Sequence, residues 1–218
     1  MQRINLSGDN KYFLEFEICK KSDWNSDIDS CNFNFNFNFN FNDFKMPTFY
    51  LSGAKQESVI GYKLLYYLYF KKFNKYLDMS KIILNDNNKP CFNNANSDNY
   101  NNLYFNISHS KNFVSCVLTD FAVGLDIEEE RIIKPSACKR FICNTEYDYI
   151  QKCSYSEIQV WNIKEAYAKY LGLGLKLNFK DVYVKSIVSN YSIIIKNFYI
   201  NNHKIFLSIC FSKNIKLN

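Results

Sequence analysis

Apolar and polar positions change period several times along the chain, and each change predicts an element. Residues 11–18, Lys-Tyr-Phe-Leu-Glu-Phe-Glu-Ile, alternate in part and predict an early strand. Over residues 54–77 the period lengthens. Val59, Ile60, Lys63, Leu64, Tyr67, Leu68 and Lys71 recur near helical spacing and predict a long helix with a mostly apolar stripe. Ile82 to Leu84 reads as a short strand, residues 85–102 as an Asn-rich loop, and residues 103–108 as another strand. Phe113 to Leu118 and Val123 to Glu128 predict two strands around Thr119-Asp120-Phe121, hence a hairpin. Residues 136–151 and 156–171 read as helices, and the β-branched and aromatic runs from Val182 to Phe211 as strands. The order strand, helix, strands, helices, strands predicts an α+β fold, an order that two related halves would produce.

One segment fits two readings. Asn32 to Asn42 is a bare Asn-Phe alternation, formally a strand with Phe on one face and Asn on the other. Asn is a poor strand former and the run is low in complexity, so we read a variable insertion rather than a core strand. The run belongs to a wider bias: the 218 residues include 20 Phe, 17 Tyr and 30 Asn. Motifs are therefore more informative than composition.

The chain is long enough to bury a core without disulfide or metal staples. Lys and Arg number 27 against 21 Asp and Glu, a net charge of +6, which favours anionic partners without forming the dense basic stripe of a nucleic-acid binder. Ordinary solubility charge is the alternative. The 8 Cys form no C-x-x-C pair, and neither His109 nor His203 stands at zinc-finger spacing. Met1 to Asn10 lack the apolar stretch of a signal peptide. Leu64 to Phe70, the longest apolar run, is too short to span a bilayer. A cytoplasmic protein with free, mostly buried thiols and no membrane or nucleic-acid partner is expected.

Candidate chemistry sits in four places. In Gly124-Leu125-Asp126-Ile127-Glu128, strand alternation puts Asp126 and Glu128 on one face. Adjacent carboxylates repel unless a cation lies between them, and such oxygen donors suit Mg²⁺; an exposed acidic strand edge is the alternative. In Trp161-Asn162-Ile163-Lys164-Glu165-Ala166-Tyr167-Ala168-Lys169, Glu165 and Lys169 share a helix face, with Trp161 one turn earlier. They could bind metal and neutralise phosphate, or form a surface ion pair. Phe105-Asn106-Ile107-Ser108-His109-Ser110 sets a His between two Ser at a strand end. It suits a phosphate contact, or only a capping turn. The fourth place, Lys89-Pro90, says little alone.

Taken together and in this order, the four resemble the 4′-phosphopantetheinyl transferase superfamily, its surfactin-type branch in particular. That branch shows a K-P step, F-N-[IL]-S-H-S, G-[IL]-D-I-E, and W-x-x-K-E-[AS]-x-x-K followed by G-x-G-L. The corresponding residues here are Lys89-Pro90, Phe105 to Ser110, Gly124 to Glu128, Trp161 to Lys169, and Gly172 to Leu175. Lys139-Arg140-Phe141 and Thr145-Glu146-Tyr147 resemble the family's R-F and E-Y signature. The likeness is good over about residues 55–185 and only general in the first 50 and last 30.

The resemblance implies two similar α/β half-domains related by a pseudo-twofold axis, with a ligand cleft between them. We set these at residues 1–110 and 111–218, the second carrying the metal site. It implies a monomeric, Mg²⁺-dependent enzyme that moves the 4′-phosphopantetheine arm of coenzyme A to a serine of an apo acyl or peptidyl carrier protein and releases adenosine 3′,5′-bisphosphate. Secondary-metabolite carriers are the expected partners. Asp126, Glu128 and Glu165 would hold Mg²⁺; Glu165 would also orient or deprotonate the serine. Lys169 would stabilise or protonate the leaving phosphate and contact coenzyme A. Lys89, Ser108 and His109 would contact the adenosine end, and Glu146 matches a family Glu near the metal.

Three departures stand out. The family's Arg for the 3′-phosphate, four residues before a Gly, is replaced by Glu57 before Gly61, with Lys55 or Lys63 as possible substitutes. The usual Gly before K-P is Asn88, and an Asn-rich stretch separates Pro90 from Phe105. An impaired family-fold module that only binds coenzyme A or a carrier is the rival reading. A different Mg²⁺-dependent phosphotransferase or nuclease would need a basic groove that the charge pattern lacks.

Overall fold

The computed structural model describes residues 12–23, 41, 43–50, 55–93, 100 and 102–217. The chain divides into two compact units, Met1–Phe121 with Leu217–Asn218, and Ala122–Lys216.

The first unit opens with β1 (Leu14–Lys20), where expected, followed by α1 (Gln56–Phe73). Helix α1 ends because Asn74 turns left-handed (φ 51°) and its N–H caps the Phe70 carbonyl at 2.7 Å. The helix is not merely striped: Ile60 to Tyr69 are all buried, Lys63 included. Its apolar contacts with Leu103, Phe105, Val114, Cys116 and Leu118 form the unit's core. Next come β2 (Ile82–Leu84) and β3 (Pro90–Phe92), an antiparallel hairpin inside the predicted loop. The turn between them is closed by left-handed Asn88 (φ 60°), so Asn serves where the family has Gly. Strands β4 (Tyr104–His109) and β5 (Phe113–Thr119) complete a three-stranded antiparallel sheet in the order β1-β5-β4.

The second unit starts with β6 (Val123–Glu129). The hairpin predicted between residues 113–118 and 123–128 does not form: β5 pairs with β1 and β4, and β6 pairs with β8. Thr119 instead donates its hydroxyl to the Phe121 carbonyl, and Asp120 accepts from the Phe13 N–H. Because β5 is the central strand of the first sheet, the division falls at Phe121/Ala122 rather than at 110/111. Helices α2 (Pro135–Cys138) and α3 (Tyr147–Lys152) replace the single helix expected over 136–151. Helix α4 (Glu157–Leu171) begins with a capping box from Ser156 and Gln159 and ends at left-handed Gly172. Helix α5 (Val184–Asn190) occupies the start of the run read as strand, with Val184 and Ile187 buried at helical spacing. Then β7 (Tyr191–Ile200) and β8 (His203–Ser212) form a hairpin, and the sheet order is β6-β8-β7.

The two units share one plan. In each sheet the last strand lies between the first strand and the next to last, with antiparallel pairing throughout and a long helix packed on the sheet. In each, a glycine permits close helix–strand approach. A Cβ on Gly61 of α1 would lie 2.5 Å from Ile107 Cγ2 of β4, and one on Gly124 of β6 only 2.0 Å from the Ala166 carbonyl of α4.

Among the described residues no helix is long and apolar enough to cross a membrane. Of the described cysteines, Cys19, Cys116, Cys138 and Cys210 are buried. Of the Asn-Phe run, only Phe41 is described; its ring lies 6.2 Å from that of Tyr66, against the first core.

Candidate active site

In the second unit, β6 and α4 assemble the predicted carboxylates. Strand alternation turns Leu125 and Ile127 into the core and sends Asp126 and Glu128 to the other face. Both carboxylates remain buried. Asp126 is held from two sides: Lys169 Nζ donates to Oδ1 at 2.7 Å, and Asn162 Nδ2 donates to Oδ2 at 2.8 Å. Asn162 in turn accepts from the Ser208 hydroxyl of β8 at 2.5 Å. Glu128 takes a forked pair from Arg131, at 2.5 and 3.3 Å, and a hydrogen bond from the Trp161 side chain. Burial raises the Glu128 carboxyl, partly offset by Arg131, while nearby Asp126 raises it further.

Glu165 is buried on α4. Burial raises its carboxyl to about 7, against the pull of Lys169, and the charges of Asp126 and Glu128 add to the rise. The i,i+4 pair read from the sequence therefore divides its work: Lys169 bonds Asp126, a strand away, and acts on Glu165 through its charge. Asn162, Glu165 and Lys169, at i, i+3 and i+7, line one helix face. Sequence reading missed Asn162 and Arg131. The i+3 spacing was the available signal for Asn162; nothing pointed to Arg131.

Three mutually influencing carboxylates are the oxygen-donor set that Mg²⁺ takes. Among the described residues, however, no group of three or more His, Cys, Asp or Glu closes to metal-holding distance. Lys169 and Arg131 supply the counter-charge in this arrangement. Asp126, Glu128 and Glu165 are buried oxygen donors of the type a hard cation takes, without a closed metal-holding cluster among the described residues.

Glu146 does not join them. Its carboxylate lies beside Lys164, whose fully buried Nζ donates to Glu146 Oε2 at 2.7 Å and to the carbonyls of Phe141 and Phe179 at 2.6 and 3.1 Å. Glu146 Oε1 accepts from the Val184 N–H at 2.6 Å. Burial lowers the Lys164 ammonium, and Glu146 opposes that. This pair pins the loops before α3 and α5 to α4, and its partners are Lys164 and the Val184 N–H.

Beside the carboxylates runs a cavity of about 520 Å³. Trp161, Phe141 and Phe179 form its apolar floor and Arg131, Lys134 and Arg140 its basic rim. Ile132 and Leu175 are 98% and 79% exposed there.

In the first unit, His109 ends β4 exposed, while Ser108 is buried on the opposite strand face, in register with Ser115. His109 lines a cavity of about 210 Å³ with Tyr50, Glu57, Ser58, Tyr62, Pro90, Phe105, Asn106 and Ile107. Lys89 precedes Pro90 at the foot of the β2–β3 turn, where its N–H donates to Asn85 Oδ1 at 2.9 Å. Burial brings the Lys89 ammonium down to about 8. Lys63 does not replace the missing Arg at this cavity: its ammonium lies 5.2 and 5.5 Å from the ring centroids of Phe41 and Phe44.

Comparison with known proteins agrees with the motifs. Residues 122–213 match the model of the 4′-phosphopantetheinyl transferase superfamily. The chain is 32% identical over 87 residues to 4′-phosphopantetheinyl transferase gsp of Aneurinibacillus migulanus, covering 38% of this chain and 37% of that protein. It is 34% identical over 94 residues to 4′-phosphopantetheinyl transferase Sfp of Bacillus subtilis (strain 168), covering 41% and 40%. With 4′-phosphopantetheinyl transferase psf-1 of Bacillus pumilus it shares 35% over 77 residues, 33% of each. The matched stretch thus spans at most about two fifths of these relatives. The surfactin-type resemblance is borne out over that stretch.

Proposed function

We propose that this chain, whose residues 122–213 carry the superfamily match, transfers the 4′-phosphopantetheine arm of coenzyme A to a serine of an apo carrier protein and releases adenosine 3′,5′-bisphosphate. The observation that carries this reading is the buried face of β6 and α4, where Asp126, Glu128, Glu165 and Lys169 meet inside the matched stretch. The two units, with their shared strand order, are read as the two half-domains that the resemblance implies.

Asp126, Glu128 and Glu165 would hold Mg²⁺, which when bound neutralises pyrophosphate charge and polarises the phosphorus under attack. Transfer of this kind rests on positioning and charge neutralisation. Lys169, already hydrogen-bonded to Asp126, is placed to stabilise charge on the departing phosphate. Glu165 orients the serine hydroxyl and accepts its proton. Asn162 is a positioning residue, since it ties Asp126 to Ser208. His109 and Lys89 contact the adenosine end. The basic rim of Arg131, Lys134 and Arg140 around exposed Ile132 and Leu175 suits a carrier with acidic residues bordering an apolar patch. We read the protein as a cytoplasmic monomer serving secondary-metabolite carriers.

The test is mass spectrometry of apo carrier proteins incubated with the chain, Mg²⁺ and coenzyme A. A gain of one phosphopantetheine arm is expected, and Asp126→Ala or Glu165→Ala abolishes it in folded protein. No gain on a diverse carrier panel overturns the proposal.

A further inference from the structure

The cavity of the first unit contains a carboxylate where a phosphate-binding site would place a cation. Glu57, in the first turn of α1, and His109, at the end of β4, both line it. The walls are aromatic: the rings of Tyr50 and Tyr62 meet edge to face at 5.5 Å, and those of Tyr62 and Phe105 at 6.4 Å. Ser58 and Asn106 add a hydroxyl and an amide. Aromatic walls with a few polar groups suit a nucleobase and its ribose.

We propose that this cavity takes a nucleoside end whose ribose 3′-hydroxyl is free, and that Glu57 makes the chain favour a pantetheine donor without a 3′-phosphate, namely dephospho-coenzyme A, over coenzyme A. The proposal rests on the transferase reading and sharpens its donor. A carboxylate accepts hydrogen bonds from ribose hydroxyls and repels a phosphate. Dinucleotide-binding folds use the same discrimination, an acidic residue for the free hydroxyl and Arg for the phosphate. Glu57 stays ionised. The hydrogen bond from its own backbone N–H lowers its carboxyl most, with further pull from Lys21, His109 and Lys55. An entering phosphate would have to compete with Glu57 for those same positive charges. Lys63, the other nearby substitute, is turned to Phe41 and Phe44.

The chemistry balances with this donor. The serine Oγ bonds to the phosphorus bearing the pantetheine arm as the bridging P–O bond of the pyrophosphate breaks. The electron pair leaves with the adenylate, the serine proton passes to Glu165, and the second product is adenosine 5′-monophosphate.

Two measurements on the full chain test this. The first is carrier modification with dephospho-coenzyme A and with coenzyme A as competing donors. We expect kcat/KM to favour the dephospho donor by about tenfold or more, Glu57→Gln to narrow the ratio, and Glu57→Arg to reverse it. The second is calorimetric binding of adenosine 5′-monophosphate and of adenosine 3′,5′-bisphosphate, with the monophosphate binding more tightly. A preference for coenzyme A in the wild type, or a ratio unmoved by both substitutions, overturns the proposal. If neither donor modifies any carrier, the binding pair decides alone: tighter monophosphate upholds the cavity assignment while the transferase reading falls, and tighter bisphosphate sinks the assignment too.

Discussion

Lys169 Nζ donates to Asp126 Oδ1 across 2.7 Å, joining the last turn of a helix to the middle of a strand. The two residues are 43 apart in sequence, and the bond orients a buried carboxylate with the cation expected to meet the leaving phosphate. Removing the ammonium should cost transfer before it costs folding, because Asn162 still holds Asp126 and Lys169 is partly exposed. Lys169→Ala is expected to lower turnover by about 10²-fold or more, with unchanged far-ultraviolet circular dichroism. Wild-type turnover in this variant would remove Lys169 from the chemistry.

Glycine makes a different prediction in each unit. At Gly124 an added Cβ would lie 2.0 Å from the Ala166 carbonyl and 2.3 Å from the Tyr170 N, both backbone atoms of α4 that cannot step aside singly. At Gly61 the nearest obstacle is the Ile107 side chain. Gly124→Ala should cost about 3 kcal/mol or more and Gly61→Ala clearly less, measured by urea unfolding. Equal costs would mean that α4 can slide on β6.

Much of the candidate site was legible because its signals are local. The i,i+2 carboxylates of β6 and the i,i+4 pair of α4 declare their shared faces without knowledge of the fold. What stayed hidden depends on pairing at a distance. Nothing near Thr119-Asp120-Phe121 says that β5 will be the centre of one sheet and β6 the edge of another. Asn162 is an undistinguished helix residue until Ser208, 46 positions away, arrives beside it. The run from Val182 is β-branched enough to read as strand throughout, yet burial of Val184 and Ile187 at i,i+3 winds its start into α5. The aromatic excess that made composition uninformative has a place as well, since α1 is buried on nearly all sides among Tyr and Phe rings.

The Lys164–Glu146 pair is expected to govern stability rather than transfer. Lys164 is completely buried and its ammonium meets three acceptors, so removing the charge of Glu146 leaves a cation without its counter-ion in the core. Glu146→Gln should destabilise by about 3–5 kcal/mol in chemical unfolding. Activity per folded molecule should stay near the wild-type value. A large loss of kcat in a variant of normal stability would return Glu146 to the metal side of the site.

Lys89 makes stability depend on pH. Burial lowers its ammonium from 10.5 to about 8 in the folded chain. Between those values the unfolded chain holds more protons than the folded one, so stability rises with pH across that window. Below about 8 the lysine is protonated in both states and this contribution is flat, at its least favourable level. Lys89→Met has no such group. The difference in unfolding free energy, wild type minus variant, should be constant from neutral pH to about 8 and then climb in favour of the wild type toward 10.5. Subtraction cancels the titration of the tyrosines and cysteines common to both chains except Cys91, whose thiol is coupled by charge to Lys89 and which is replaced by Ser in both chains for this measurement. Bound adenosine 5′-monophosphate should move the onset of the climb upward, since an anion beside Lys89 favours its protonated form. A flat difference across the whole range would show that Lys89 is hydrated in the folded chain, and an onset unmoved by the nucleotide would place the phosphate away from it.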